Sequence, residues 1–226
     1  MLSIIFLALS SLTVYLIYRN VQDNKLLRTV TQNGRGTWSE RDLIIRLLKA
    51  GVSSHRIFHD LYIQKKDGTY SQVDIAVVTK VGVVVIEVKK YSGWIYGMGN
   101  REKWVQVLDY GKAKFPIYNP VFQNEGHIRA IKNRLPNYFN IPFHSLIVFY
   151  GDCKLKKISN IPSEVLIVKA NKAINAFNDI LLQIPRSNFY YEEVVAVFKK
   201  GVENGDDLEI QNLHVQNITN FNKSYN

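Results

Sequence analysis

Three ionisable residues, Asp74, Glu87 and Lys89, interrupt two apolar segments of this chain. Glu87 and Lys89 come at the end of the apolar run 81–86, and Asp74 stands inside the segment 72–79. Taking a charge out of water costs on the order of several kcal/mol, so a charge persists in a buried strand only if it is paired, binds a metal or serves a function. The two carboxylates and the amine therefore predict a polar site within an apolar sheet.

The spacing of the two segments predicts a β-hairpin. If the chain turns so that Thr79 faces Gly82, the two residue numbers of every antiparallel pair add up to the same total, and Asp74 faces Glu87. Directly opposed Cβ atoms lie about 4.5–5.5 Å apart. Residues i and i+2 of a strand share a face, so Lys89 points to the same side as Glu87. Two carboxylates this close repel each other, and a divalent cation is the usual remedy. We expect Asp74 and Glu87 to hold Mg²⁺, with Mn²⁺ as an alternative, because hard cations prefer carboxylate oxygens.

A further acid, Glu40, lies at the start of a predicted helix. The segment 37–40 has the spacing of a capping box, and apolar residues then recur at helical period until Gly51 ends the helix. Glu40 shares the apolar stripe of this helix. It either caps its own helix or enters the site as a ligand of a second metal ion, and the residues alone leave these roles open.

Another predicted helix, over residues 121–135, carries Gln123 and His127 on one face. Gln123 either positions substrate or water across a cleft or is an ordinary glutamine near a helix N-terminus. His55 and His59 also have i, i+4 spacing, but no acid is arranged around them as in a helical zinc motif. We therefore expect His55 and His59 to be surface or capping residues.

The composition limits the classes of protein to be considered. The chain has 226 residues, 46% of them hydrophobic, which suffices for one domain of ordinary size with a short appendage. A formal net charge of +10 favours a polyanionic partner, either nucleic acid or an anionic membrane surface. The single cysteine, Cys153, excludes a disulfide framework or a cysteine-rich zinc site within one chain. Phosphate-cradling, dinucleotide-binding and serine-hydrolase motifs do not occur in the sequence.

The N-terminal segment differs from the remainder of the chain. Leu2–Tyr18 contains no charged residue, whereas basic residues follow from Arg19 onwards. This pattern predicts a single-pass transmembrane anchor with the main domain on the cytoplasmic side. An amphipathic or buried helix is the alternative. We expect the anchor over residues 1–19, a linker over 20–35, the main domain over 36–205 and a partly disordered, asparagine-rich tail over 206–226.

The polar candidates together resemble a known superfamily. A helix bearing Glu40, a strand bearing Asp74 and a strand bearing Glu87-x-Lys89 resemble the PD-(D/E)xK nucleases. The stretch 36–135 is more specifically similar to the nuclease-related domain (NERD) family. That similarity rests on Gly-x-x-x-Glu at 36–40, Gln-x-Asp at 72–74, Ile-Glu-x-Lys at 86–89, Gly93, Ile95, Gly97, Trp104 and Asn-Pro-x-x-Gln-Asn at 119–124.

The resemblance implies an α/β fold of the restriction-endonuclease type, with a mixed central β-sheet flanked by helices. It also implies Mg²⁺-dependent cleavage of nucleic-acid phosphodiesters, with Asp74, Glu87, Lys89, Glu40 and Gln123 as catalytic residues. The metal ligands would be Asp74 and Glu87, with Glu40 as a further one. The superfamily's proline before the first acid is absent, since residue 73 is a valine.

These observations predict a membrane-anchored, metal-dependent nuclease that acts on DNA rather than RNA. Two other functions stay open: a noncatalytic, membrane-tethered module that binds nucleic acid or acts as a scaffold, and an envelope protein that binds anionic lipid. Asp74, Glu87 and Lys89 could also form a purely structural triad of buried charges. Such a triad would keep a net negative charge in a dry place, which a bound metal ion removes.

Overall fold

The computed structural model of the protein describes residues 2–135, 140–183, 186 and 191–225. Helices and strands are numbered in chain order over these residues. The helices are α1 Leu2–Leu27, α2 Trp38–Lys49, α3 Pro120–Lys132, α4 Ala173–Gln183, α5 Tyr191–Asn204 and α6 Leu208–Tyr225. The strands are β1 Ile57–Gln64, β2 Tyr70–Thr79, β3 Gly82–Lys90, β4 Trp94–Met98, β5 Lys103–Leu108, β6 Ala113–Tyr118, β7 Phe143–Tyr150, β8 Lys154–Ser159 and β9 Val165–Lys169.

The strands form two sheets. The main sheet has the order β1-β2-β3-β7-β9, with antiparallel pairing from β1 to β3 and parallel pairing from β3 to β9. The side sheet has the order β6-β5-β4-β8, in which only the β4–β8 pair is parallel among the described strands. The mixed α/β architecture expected from the sequence is confirmed. The sequence had not indicated that β4, β5, β6 and β8 form a sheet of their own.

Helices cover both faces of the main sheet. On one face, α2 and α4 pack on the sheet through buried side chains such as Leu43, Ile86 and Phe177. On the other face, α3 and α5 pack on it through a separate apolar cluster that includes Val85 and Phe198. Because both faces are buried, any charged side chain in the middle of this sheet must find its partners within the protein.

A third apolar cluster joins the side sheet to the main sheet. The Trp104 ring of β5 lies parallel to the Phe149 ring of β7, with ring centroids 6.4 Å apart, and both side chains are buried. Gly97 allows this packing, since a Cβ atom at that position would overlap the Trp104 ring. Phe149 pairs with Lys89 across the β3–β7 ladder. The side sheet is therefore held next to the carboxyl-terminal end of β3.

The β2–β3 hairpin has the register predicted from the sequence. Thr79 pairs with Gly82, and the same sum of residue numbers continues to the pair Ile75–Ile86. Asp74 and Glu87 are the next position along, just beyond the last pair of the ladder. The turn thus brings the two carboxylates to the same end of the hairpin.

The two ends of the chain are helical. Among the residues that the structure describes, no helix is both long and apolar enough to cross a membrane, so the structure does not support the transmembrane helix expected over residues 2–18. The C-terminal end of α1 packs on the main domain, where Leu27 is buried in the core and Asp23 forms an ion pair with Lys49. Beyond α1, Thr31 is also buried.

The C-terminal segment differs from the expectation. Residues 206–226 were expected to be partly disordered, but Leu208–Tyr225 form α6. The His214 ring packs edge-on against Tyr62, and its Nδ1 lies 3.0 Å from the backbone oxygen of Tyr70. These contacts with the main sheet supply the packing that the polar sequence does not reveal. The helix predicted over 188–200 begins at Tyr191, and residues 188–190 lie outside the described residues.

Candidate active site

Glu87 is the centre of a buried polar cluster. Its side chain is 1% exposed. Its Oε1 atom lies 2.6 Å from Lys89 Nζ, and its Oε2 atom lies 3.1 Å from His127 Nε2. Burial by itself would raise the pKa of Glu87, but the Lys89 ammonium and the His127 hydrogen bond lower it to about 2. Glu87 is therefore an ionised carboxylate with a fixed orientation.

The Lys89 side chain lies between helix α3 and the two carboxylates of β2 and β3. Its Nζ atom donates a hydrogen bond to Gln123 Oε1 at 2.8 Å, in addition to the ion pair with Glu87. Burial would lower the pKa of Lys89, yet the carboxylates of Glu87 and Asp74 outweigh burial and raise this pKa above its usual value. Lys89 is thus a protonated ammonium at neutral pH. It can therefore stabilise negative charge.

Asp74 lies beside this pair. Its Oδ2 atom accepts a 2.7 Å hydrogen bond from the backbone N–H of Val88. Burial, followed by repulsion from Glu87 and Glu40, raises the pKa of Asp74 well above its usual value. The charges of Glu87 and Glu40 therefore affect Asp74 in the folded protein, although the sequence placed these three acids on two strands and a helix.

The ladder between β1 and β2 is interrupted opposite Asp74. Pairs form on both sides of this position, but Asp60 and Asp74 are not paired. Asp60 has a left-handed backbone with φ 55, which is uncommon for a residue with a side chain. Its carboxylate accepts hydrogen bonds from Gln72 Nε2 at 2.7 Å and from Arg35 Nε at 3.0 Å. In the Gln-x-Asp motif, Gln72 therefore has a structural role, since it holds the carboxylate of Asp60, the residue opposite Asp74.

Glu40 combines the two roles that the sequence left open. The Thr37 side chain caps α2 by accepting the backbone N–H of Glu40, and its hydroxyl donates to Glu40 Oε1 at 2.6 Å. Glu40 Oε2 lies 3.0 Å from His59 Nε2. Gly36 is required here, because it has φ 69 and a Cβ atom would overlap the His59 ring. Both oxygens of Glu40 are therefore engaged by protein donors, while its charge still reaches Asp74.

Two histidines complete the cluster, and the sequence did not assign them to it. The expectation that His59 is a surface or capping residue is wrong, because it is 1% exposed and bridges Glu40 and the Thr31 hydroxyl, 2.8 Å from Nδ1. His55 is exposed, as expected, and bonds to Ser53. The sequence held one indication that His127 belongs to the cluster, namely its position one helical turn after Gln123.

His127 forms a chain of hydrogen bonds that ends at Glu87. Its Nδ1 atom lies 2.7 Å from Ser71 Oγ, while its Nε2 atom faces the carboxylate. An ionised carboxylate only accepts hydrogen bonds, so the N–H at Nε2 donates a hydrogen bond to Glu87 Oε2. Ser71 thereby holds the imidazole ring in the orientation that restrains Glu87.

Comparison with known proteins shows the family of the chain. The sequence profile described as nuclease-related domain matches residues 35–150, which is just over half of the chain. The chain belongs to the nuclease-related domain family. An uncharacterized protein of Bacillus anthracis is 26% identical over 200 residues, a match that covers 87% of this chain and 90% of that protein. No solved structure is significantly similar to the chain.

The Asn-Pro-x-x-Gln-Asn motif of this nuclease-related domain positions α3. Asn119 caps the helix by accepting the N–H of Val121, and its Nδ2 atom donates to three carbonyls of the β4–β5 turn, including that of Arg101 at 2.8 Å. Asn124 is buried and donates to Val85 O at 3.0 Å and to Ser145 Oγ at 2.8 Å. The two asparagines fix α3 to both sheets and thereby place Gln123, which lies between them in sequence, next to Lys89.

The donor chemistry of the cluster fits a hard divalent cation. Mg²⁺ in nucleic-acid enzymes is bound by one or two carboxylates together with waters and substrate phosphate oxygens. Asp74 and Glu87 are such carboxylates. Burial and, after it, repulsion from Glu87 raise the pKa of Asp74, and a bound cation relieves that repulsion. Across the described residues, however, no group of three or more His, Cys, Asp or Glu side chains is arranged to hold a metal ion. Water and substrate oxygens would therefore supply the remaining ligands.

Proposed function

We propose that this protein is a metal-dependent nuclease that hydrolyses phosphodiester bonds in DNA in preference to RNA. The observation that carries the proposal is the orientation of Glu87, which is held by Lys89 and His127 beside Asp74. Membership of the nuclease-related domain family supports a nuclease-like function. The formal net charge of +10 supports a polyanionic substrate.

Each residue of the cluster has a distinct part in this proposal. Asp74 and Glu87 would hold the metal ion, which when bound neutralises phosphate charge and lowers the pKa of a water ligand. Lys89 would donate from Nζ to a non-bridging phosphate oxygen and stabilise the charge that develops there. Gln123 holds the Lys89 ammonium at 2.8 Å and so fixes its direction.

The reaction is a substitution at phosphorus. The oxygen of a water molecule forms a bond to phosphorus, and the bond from phosphorus to one ester oxygen breaks. The water gives a proton to the surrounding solvent, and the leaving oxygen takes a proton from the solvent and departs as a hydroxyl group. Lys89, which is protonated, would stabilise charge on the phosphate, and Glu87, whose pKa is low, would hold the metal ion, so neither residue is given a proton transfer.

The test uses the purified full chain with supercoiled plasmid, single-stranded DNA and RNA, each in Mg²⁺, Mn²⁺ or EDTA. Lys89→Gln keeps most of the side chain but removes the ammonium, and Lys66→Gln removes an exposed lysine from the β1–β2 turn as a matched control. We expect metal-dependent cleavage, a loss of about 100-fold or more in Lys89→Gln, and no change in Lys66→Gln.

A noncatalytic nucleic-acid-binding module is the second candidate. It is favoured by one observation, namely that both oxygens of Glu87 already contact protein groups. Folded protein that binds DNA but releases no product with either metal would establish this second function and exclude the nuclease.

A further inference from the structure

The side sheet has an outer face that the active site does not use. The apolar residues on its inner face, such as Ile95 and Trp104, pack against the main sheet. Side chains alternate along a strand, so Trp94 and Tyr96 of β4 point away from that cluster. A β-bulge in β8 between the partners of Ile95 and Tyr96 adds one residue to that strand.

Lysines are concentrated on this outer face. Lys154 pairs with Trp94 across the β4–β8 ladder, and Lys157 pairs with Tyr96. The bulged residue, Lys156, places its Nζ atom 5.2 Å from the centroid of the Trp94 ring. All three lysines are exposed, and within the described part of the chain none of them forms an ion pair. The face therefore presents unneutralised positive charge next to aromatic rings.

A cavity of about 430 Å³ opens on the same face. Trp94, Val107 and Lys154 line it, together with the turn between β5 and β6. At the tip of that turn the Tyr110 side chain is 97% exposed. Asp109 and Tyr110 both have left-handed backbones, with φ 49 and 53, although neither is a glycine. A strained turn that holds an aromatic ring in solvent beside a cavity is typical of a ligand-binding segment.

We propose that the outer face of the side sheet binds single-stranded nucleic acid. Lysines neutralise the phosphates of the strand, and the rings of Trp94 and Tyr110 stack with its bases, one of which enters the cavity. The combination of a basic surface with aromatic rings is the recurrent solution for single strands, because every base has a flat face and every linkage a negative charge. A duplex does not fit this chemistry, since its bases are already stacked on one another.

The position of the face connects it to the candidate active site. Three residues, 91–93, link the end of β3 to β4, and Ser92 and Gly93 line the cavity. A strand bound on the side sheet thus lies next to the end of β3 that carries Lys89. The inference rests on the proposed function in this respect, because the bound strand would be the substrate or the product of the cleavage.

Two acids at the cavity give the proposal a second, opposite test. Asp109 and Asp152 line the cavity together with Lys154, and their carboxylates repel a phosphate backbone. Asp109→Asn keeps the shape of the side chain and tolerates a left-handed backbone, so the fold should not change. Removing this negative charge is expected to tighten binding of a single strand about twofold at low salt.

The experiment measures binding without cleavage. Full-length protein in EDTA is titrated into fluorescein-labelled oligothymidylate or oligouridylate, and fluorescence anisotropy is followed at several salt concentrations. The combined Lys154→Gln, Lys156→Gln and Lys157→Gln variant is compared with Lys199→Gln combined with Lys200→Gln on α5, where both lysines are also exposed. Thermal unfolding of each variant verifies that the fold is retained.

We expect the triple lysine variant to bind the oligonucleotide at least tenfold more weakly, with the slope of log affinity against log salt reduced by about two units. Tyr110→Ala should weaken binding about fivefold or more, while the α5 control should stay within twofold of wild type. Equal affinity of the triple variant and the wild type would overturn the inference. Loss of binding to phosphatidylserine vesicles with unchanged oligonucleotide binding would also overturn it and assign the face to a membrane surface.

The outcome is separable from that of the proposed function. Lys66→Gln should bind the oligonucleotide as wild type does, because Lys66 lies in the β1–β2 turn, outside both the side sheet and the candidate active site. Binding lost in the triple variant, with no cleavage by any protein, would support the binding face and exclude the nuclease. Cleavage of single strands with unchanged affinity in the triple variant would support the nuclease and exclude the binding face.

Discussion

The main sheet and the side sheet hold their charged side chains in opposite ways. In the main sheet, Glu87 is 1% exposed, and each of its oxygens contacts a side chain of the protein. In the side sheet, Lys154 and Lys157 are exposed and form no ion pair with any described residue. A buried charge needs fixed partners because the loss of hydration is large, whereas an exposed charge is hydrated and screened by salt. The first arrangement suits chemistry at one point, and the second suits binding that adds up over several weak contacts.

The largest effect is expected at Asp74. Asp74→Asn should reduce cleavage about 100-fold or more, because a neutral amide is a weaker ligand of Mg²⁺ than a carboxylate. The same substitution should leave the melting temperature unchanged or raise it, since it removes the repulsion from Glu87 and Glu40. Plasmid nicking and thermal unfolding measure the two effects. A clear fall in melting temperature would instead indicate the structural triad of charges.

The difference between the two sheets can be tested by the free energy of unfolding of variants at Glu87 and Lys154. Glu87→Gln leaves the Lys89 ammonium, which is only partly exposed, without its main counter-charge, so we expect the free energy of unfolding to fall by about 3–5 kcal/mol. Lys154→Gln on the side sheet is the matched control and should change it by less than about 0.5 kcal/mol. Urea unfolding of both variants gives the comparison. Similar small changes in the two variants would show that Glu87 is not held as tightly as the distances indicate.

The stability difference at Glu87 should depend on pH. The pKa of Glu87 is lowered from 4.5 to about 2 in the folded protein, so its contribution is fully present above pH 4.5 and is lost as the pH falls towards about 2. The difference in unfolding free energy between wild type and Glu87→Gln should shrink over this range. The corresponding difference for Lys154→Gln should stay flat. Urea unfolding at several pH values, from neutral to 2, measures both.

A smaller effect is expected at His127, which contacts the proposed metal ligand Glu87. His127→Ala frees Glu87 Oε2 and should weaken Mn²⁺ binding about tenfold or more, as the loss of supporting hydrogen bonds commonly does. His127→Gln keeps a donor and should recover part of that loss. Calorimetric titration with Mn²⁺ gives the affinity directly. Unchanged affinity in His127→Ala would assign the residue to packing alone.

The candidate site was predictable where neighbouring residues decide the geometry. The pairing of Thr79 with Gly82 follows from a tight turn, and counting along the two strands then places Asp74 next to Glu87. The cap of α2 follows from the spacing of Thr37 and Glu40. In these cases backbone sterics and hydrogen bonds over a few residues fix the outcome, so a sequence pattern is sufficient.

Other features depended on packing between distant segments. His59 had been expected at the surface, yet its buried position follows from how α2 and the segment after α1 lie on β1. The polar sequence of residues 206–226 predicted a partly disordered tail, whereas Leu208–Tyr225 form a helix and His214 on it contacts the main sheet. The side sheet likewise depends on a long-range contact, because β4 pairs in parallel with β8, which is distant in sequence. Local propensity carries no information about such partners.

The sequence alone determined the inventory and the local geometry of the site: Asp74, Glu87 and Lys89 at one end of a hairpin, Glu40 at a helix start, and Gln123 on the helix after Asn119–Pro120. The tertiary structure decided which groups hold these residues. His127 reaches Glu87 across 40 positions of the chain, and the exposed lysines of β8 come to lie beside the aromatic rings of β4. The reason is physical. Strand and helix periods are set by short-range sterics, whereas the partner of a buried charge is set by the way whole layers pack.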